Sequence, residues 1–215
     1  MENIAIIGAG GFGREVQMLV EQINAQQPSY NLVGYFDDSL EKGTQVNGLE
    51  VLGNVSAINA HTDRLGIALG IGSPAVKRNI IQSLKNQKIF FPTLIHPNAQ
   101  IGFPNVTLGK GVILCANTIL TTNIILGDFV TLNLGCTVGH DTQIGDYSAF
   151  MPGCDIAGEV TVHQSVYGGM GTKIINQTTV GENVTLGAGA VVVNSIPPNS
   201  LAVGLPAKVI KTYEG

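Results

Sequence analysis

From Leu108 to Val192 an apolar residue stands at every sixth position, with one exception at Gly168. The series runs Leu108, Leu114, Leu120, Leu126, Leu132, Val138, Ile144, Phe150, Ile156, Val162, Gly168, Ile174, Val180, Leu186, Val192. A helix repeats every 3.6 residues and a strand every 2, so neither period generates it. A six-residue repeat predicts a parallel β-helix, three hexapeptides closing one triangular coil. Residues 18 apart then stack, about 4.8 Å apart along the ladder. The position two before each apolar residue is small or β-branched, as a narrow interior needs. Thr118, Cys136, Cys154, Thr172 and Ala190 form one such column. Glycine often follows the apolar residue (Gly109, Gly127, Gly139, Gly145, Gly169, Gly181, Gly187) and is expected to supply unusual φ at the corners. Ile95 and Ile101 start an earlier coil, a seven-residue step to Leu108 marks one insertion, and the repeat ends at Ile196-Pro197-Pro198.

The first 92 residues follow another pattern. Asn3–Ile7 reads as a buried strand, and Val16, Leu19, Val20 and Ile23 place an amphipathic helix over 14–24. A second strand spans 32–36, a third 65–71, a second helix 75–88 and a fourth strand 88–91. Alternating β and α predicts a parallel sheet with its ligand crevice at the strand C-terminal ends. Gly8-Ala9-Gly10-Gly11-Phe12-Gly13 lies at such an end, where backbone N–H groups and a helix dipole favour an anion. Asp37-Asp38 ends the next strand, where a carboxylate accepts hydrogen bonds from a ribose or a base. So short a segment has room for one βαβαβ half, which suits a mononucleotide such as a nucleotide sugar better than a dinucleotide. The predicted fold is an α/β half-Rossmann domain over 1–92, followed by an all-β parallel β-helix with a C-terminal tail over 93–215.

Composition narrows the partners. A net charge of −4 offers no basic surface for nucleic acid. No apolar run approaches the roughly 20 residues of a membrane span, and Met1-Glu2-Asn3-Ile4 does not read as the start of a basic-then-apolar signal peptide. Cys115, Cys136 and Cys154 read as reduced, buried thiols of a cytoplasmic protein. Residues 101–195 hold only eight charged side chains, so part of the β-helix surface is expected to be covered by another copy of the chain.

Of four histidines, His61 reads as a surface residue, His96 as structural and His163 as a corner residue. His140 stands out. Its column is Thr122, His140, Gly158, Asn176, Asn194, and Gly158 leaves space beside the imidazole. No set of zinc ligands is predicted.

The six-residue repeat and the tail Gly204-Leu205-Pro206-Ala207-Lys208 resemble the hexapeptide acyltransferases. Those are left-handed parallel β-helices, usually homotrimers, that bind acetyl-CoA between subunits. With the N-terminal glycine loop, Asp37-Asp38 and Gly70-Ile71-Gly72, nearly the whole chain resembles the sugar O- and N-acetyltransferases of the sialic-acid and bacillosamine type. The resemblance implies acetyl transfer from acetyl-CoA to an amine or hydroxyl of a sugar, with His140 as general base in direct attack and Asp141 raising its pKa. Neighbouring strand residues point to opposite faces, so Asp141 reaches His140 only if the chain bends there. The resemblance further implies acceptor contacts at Gly10, Gly11, Phe12, Asp37, Asp38 and Gly72. It implies acetyl-CoA contacts near Ala149, Gly158, Met170 and Ala188, with Lys208 toward a CoA phosphate. Phe12 and Ala149 depart from the pattern, since the family often has histidine at both. Two alternatives stay open: a non-catalytic nucleotide-sugar-binding scaffold, and a γ-type carbonic anhydrase, which would need three histidine ligands.

Overall fold

The computed structural model describes residues 1–213; the last two residues of the 93–215 unit lie outside the described residues. The N-terminal part is β1 (Glu2–Ile7), α1 (Gly11–Gln26), β2 (Tyr30–Phe36), β3 (Gln45–Val46), β4 (Leu49–Gly53), β5 (Leu65–Leu69), α2 (Pro74–Ser83) and β6 (Ile89–Phe90). The sheet order is β3-β4-β2-β1-β5-β6, parallel apart from the β3–β4 hairpin. That hairpin and the 3₁₀ helix Val55–Ala60 carry no strong periodicity and were not expected from the sequence. α1 starts three residues earlier than expected, directly from the glycine loop. β5 stops at Leu69 rather than residue 71. α2 ends at Ser83, not at 88, because tertiary hydrogen bonds take over the chain. Asn59 Oδ1 accepts from Lys85 N–H (2.7 Å), and Asn86 Nδ2 donates to the carbonyls of Ile58 (2.9 Å) and His61 (2.8 Å).

The rest is a parallel β-helix with three faces. The first carries Leu94–Ile95, Ile113–Leu114, Thr131–Leu132, Ala149–Phe150, Tyr167–Gly168 and Thr185–Leu186. The second carries Gln100–Ile101 through Val191–Val192, and the third Val106–Leu108 through Thr179–Val180. Pairing from Leu114 to Val192 runs residue i to i+18, as the repeat predicted (Leu114 with Leu132, Val138 with Ile156, Ile144 with Val162), and shortens to i+16 where the repeat ends (Val180 with Ile196, Leu186 with Ala202). The sixth-position residues fill the interior, and the column from Thr118 to Ala190 is fully buried.

The expectation for the corner glycines is corrected. None of the seven that follow the apolar series has positive φ. They are needed for close approach: a Cβ on Gly139, Gly145 or Gly169 would lie 2.5–2.6 Å from backbone of the next coil. Positive φ falls two residues after each of those positions, again every sixth residue from Asn105 to Gly189, with φ between 43° and 73°. Asn, Asp and Gly dominate there and no β-branched residue occurs, as left-handed backbone requires. Gly168, the gap in the apolar series, makes room for Phe150 of the preceding coil, because a Cβ on it would sit 2.8 Å from Phe150 Cε1.

The N-terminal sheet and helices pack on the first face. α1 shares a core with Leu94, Ile113 and Cys115. Phe129 enters the other core, stacked on Tyr147 at 5.5 Å and edge-on to Phe91 at 5.0 Å. At the centre lies Lys77 of α2, fully buried, whose Nζ donates to Phe129 O (2.7 Å), Thr131 Oγ1 (3.2 Å) and Ser148 O (3.3 Å). Burial pushes its ammonium down to about 7. His96, also buried, accepts from Asn98 N–H at Nδ1 (2.9 Å) and donates from Nε2 to Gln22 of α1 (2.9 Å).

Two predictions follow from this packing. Gly168→Val should cost about 1–3 kcal/mol by overpacking against Phe150, and Phe150→Val in the same chain should recover much of it. Urea unfolding of the double-mutant cycle measures this, and additive losses would refute the explanation of the gap. For Lys77 the unfolded chain holds its proton up to about pH 10 and the folded chain only to about 7, so between these values the unfolded state binds more protons. Wild-type stability should therefore rise relative to Lys77→Met as pH climbs from 7 to 9, by about 2 kcal/mol. Parallel stability curves for the two proteins would refute it.

Candidate active site

The geometry divides the expected site residues between two places. The first is the corner between the second and third faces. There the left-handed residue at position 141 (φ 57°) turns the chain, so successive side chains are no longer held on opposite faces. Asp141 Oδ2 accepts from His140 Nδ1–H at 2.8 Å. A carboxylate only accepts, so the neutral imidazole carries its proton on Nδ1 and leaves the Nε2 lone pair free. Nε2 has no hydrogen-bond partner among the described residues. Bonds from His140 and from Asn123 hold the Asp141 carboxyl below the usual carboxylate range, so it is charged at neutral pH. The ring lies over Gly158: a Cβ there would stand 2.6 Å from His140 Nε2. The space expected beside the imidazole is thus occupied by the imidazole itself. Both side chains are about half exposed.

The second place is a groove of about 580 Å³ where the N-terminal region meets the β-helix. Phe12 and Glu15 of α1 and Gly72 line one side. Asn133, Met151, Tyr167, Met170, Gly187 and Ala188 are among the residues that line the other. Expected acceptor residues (Phe12, Gly72) thus share one concavity with expected acetyl-CoA residues (Met170, Ala188). Sequence reasoning passed over Asn133. Its residue is almost wholly buried, its Oδ1 accepts from Leu134 N–H (2.7 Å), and its Nδ2 has no partner among the described residues. The available signal was an asparagine at the position after the apolar residue, where glycine is the commonest residue. A further groove of about 480 Å³ continues past Gly72 to the N-terminus of α2, where Ser165 Oγ is buried without a hydrogen-bond partner.

The other expected residues lie around these places. Gly8, Gly13 and Gly70 pack backbone on backbone, with Gly13 close enough that a Cβ would meet Gly8 at 2.8 Å or less. Gly10 and Gly11 face open space at the start of α1, whose first-turn N–H groups have no side-chain cap. Asp37 is largely spent on backbone: its Oδ2 accepts from Ala9 N–H and its Oδ1 from Ser39 N–H, both 2.8 Å. Asp38 Oδ1 takes Val55 N–H at 2.8 Å at the start of the 3₁₀ helix, whose cap is Asn54 Oδ1, accepting from Ala57 N–H at 3.1 Å. The carboxylates hold the glycine loop and the following turn, and present their remaining lone pairs outward. Ala149 has no exposed surface, because the N-terminal region covers the first face. Lys208 stands exposed in the final hairpin. His163 is exposed and borders two shallow grooves of the third face, beside Glu182. No cluster of three or more metal-ligating side chains occurs among the described residues, and no helix there is long and apolar enough to cross a membrane.

Residues 3–84 match the family model of the PglD N-terminal domain. The chain is 30% identical over 143 residues to a GDP-perosamine N-acetyltransferase of Escherichia coli O157:H7; the match covers 66% of this chain and 64% of that protein. The structure of WeeI from Acinetobacter baumannii AYE superposes with a TM-score of 0.87 at 30% identity, over 98% of this chain and 100% of the other. The acetyltransferase domain of PglB from Neisseria gonorrhoeae FA1090, solved in complex with acetyl coenzyme A, superposes with a TM-score of 0.86 at 31% identity, over 97% and 99%. End-to-end agreement at this identity, joined to the half-Rossmann and left-handed β-helix architecture, establishes that the chain belongs to the NeuD/PglD-like family of sugar acetyltransferases.

Proposed function

We propose that the protein transfers acetyl from acetyl-CoA to the amine of a nucleotide-linked amino sugar, with His140 as general base. The observation that carries this reading is the His140–Asp141 pair. It leaves Nε2 with a free lone pair beside a negative charge that stabilises the protonated imidazole. An amine acceptor fits the relatives, one of which is a GDP-perosamine N-acetyltransferase and another of which binds acetyl coenzyme A. As the amine nitrogen attacks the thioester carbonyl, its proton passes to Nε2. The carbon–sulfur bond then breaks and the CoA sulfur takes a proton on leaving. No covalent acyl-enzyme is needed. Residues 1–92 act as the acceptor-binding unit, with Phe12, Gly72 and the open glycine loop at Gly10 and Gly11 toward the sugar nucleotide. The β-helix over 93–215 acts as the acetyl-transfer unit, Met170 and Ala188 offering apolar surface to the pantetheine arm and Lys208 a charge to a phosphate.

Within one chain, His140 and the Phe12–Ala188 groove lie on different edges of the prism. A homotrimer resolves this: the His140 corner of each copy faces the groove of the next, and acetyl-CoA lies between. Exposed apolar residues on the β-helix support a covered surface, notably Met170 (61% exposed), Ile125 (49%) and Ile175 (40%). Buried thiols fit a cytoplasmic location.

His140→Ala should lower kcat at least about 100-fold in a thiol-release assay with acetyl-CoA and a panel of GDP- and UDP-linked amino sugars. Unchanged turnover would overturn the assignment of the base. Gly158→Ala should displace the imidazole and lower kcat by about tenfold or more, with little change in KM for the sugar. An effect confined to KM would count against that geometry. Sedimentation equilibrium should return three chains; a monomer with full activity would refute the shared site.

A further inference from the structure

At the corner that carries His140, the left-handed residues of successive coils stack in one column: Asn105, Asn123, Asp141, Glu159, Gln177. Their side chains bond along it. Asn105 Nδ2 donates to Asn123 Oδ1 at 3.1 Å, and Asn123 Nδ2 donates to Asp141 Oδ1 at 2.8 Å. The remaining carboxylate oxygen, Oδ2, accepts from His140 Nδ1–H. We propose that Asn123 is a positioning residue for the reaction: its amide, oriented by Asn105, holds the Asp141 carboxylate in the rotation that receives the imidazole. The proposal rests on the reading of His140 as the base.

Three observations support it. First, the relay has a direction. Asp141 is acceptor-only, so the Asn123 NH₂ must face it, and the Asn123 oxygen then turns to the NH₂ of Asn105. A flipped amide would set an oxygen against the carboxylate. Second, both Asp141 oxygens are used, each by a different partner, so the carboxyl plane is defined. Third, the next charged group in the column does not compete. Glu159, one coil on, is served from the opposite side by Gln177 Nε2 at 3.0 Å. Asp141 and Glu159 are the charged side chains of the column, and the ring of His140 reaches from the coil of Asp141 over Gly158 of the next.

A plainer reading gives Asn123 only a backbone role, since asparagine tolerates its φ of 56°. That accounts for the residue type but not for the amide direction. Asn123→Gly separates the two: glycine keeps the left-handed turn without strain and removes the donor. In the full-length protein, Tm should move by no more than about 2 °C.

A carboxylate free to rotate accepts a less directed bond from the imidazole, so the Nδ1–H proton of His140 should exchange faster with solvent, and its low-field NMR resonance at neutral pH should broaden or vanish. kcat itself should drop about fivefold with KM for acetyl-CoA unchanged. Asn123→Asp, which sets a second carboxylate against Asp141, should remove the contact and lower kcat further. If Asn123→Gly keeps the wild-type Nδ1–H resonance and turnover, the proposal is overturned. The ring resonance decides the role of Asn123 even where His140→Ala shows that His140 is not the base, so the two failures are distinguishable.

Discussion

The β-helix depends on one constraint, that a closed coil must turn three corners while its backbone stays paired to coils about 4.8 Å above and below. The chain meets it with a left-handed residue every sixth position, and extended pairs of residues between. Each coil then donates and accepts along the whole stack, so buried backbone groups are satisfied although most strands are only two or three residues long. The same geometry excludes side chains where the chain crosses close under its neighbour, which is why glycine recurs after the apolar positions. Any single coil would be unstable alone. Its two-residue strands acquire stability from the coils on either side.

Stacking also makes columns, and the columns supply chemistry. A residue placed at a corner finds its partners 18 positions away rather than next to it. Asn105, Asn123 and Asp141 bond this way, as do Gln164 with Glu182, at 2.9 Å, and Lys173 with Asp155. The pair at the candidate active site is the exception that the left-handed turn permits. Because position 141 bends the chain, adjacent side chains can meet, and the carboxylate reaches the ring of His140. One backbone feature thus closes the coil and brings Asp141 onto the ring of His140.

The N-terminal region shapes what the β-helix leaves open. Its helices bury the first face around Lys77 and Phe129, and stop at the edge where Tyr167, Met170 and Ala188 emerge. The groove is lined from both parts, by Phe12, Glu15 and Gly72 on one side and by the β-helix on the other. The docking also explains Ala149, whose position suggested a ligand contact but whose side chain lies under the N-terminal region.

The six-residue repeat, read alone, determined the coil length, the interior columns and the register. It could do so because the β-helix is a local, repeating solution in which each position has one environment. Its columns also singled out His140, and the strand–glycine loop–helix pattern of the first 92 residues singled out the glycine loop and the paired aspartates. What it did not determine was decided by contacts distant in sequence. The length of α2 was set by Asn59 and Asn86, and the hairpin over 45–53 by its place at the sheet edge. The use of Asp37 and Asp38 was set by backbone N–H groups of other segments. The gap at Gly168 was set by the volume of a ring 18 residues earlier. Periodicity records what a residue faces inside its own repeat, and only the tertiary structure decides which side chains from different repeats, or from different domains, come within bonding distance.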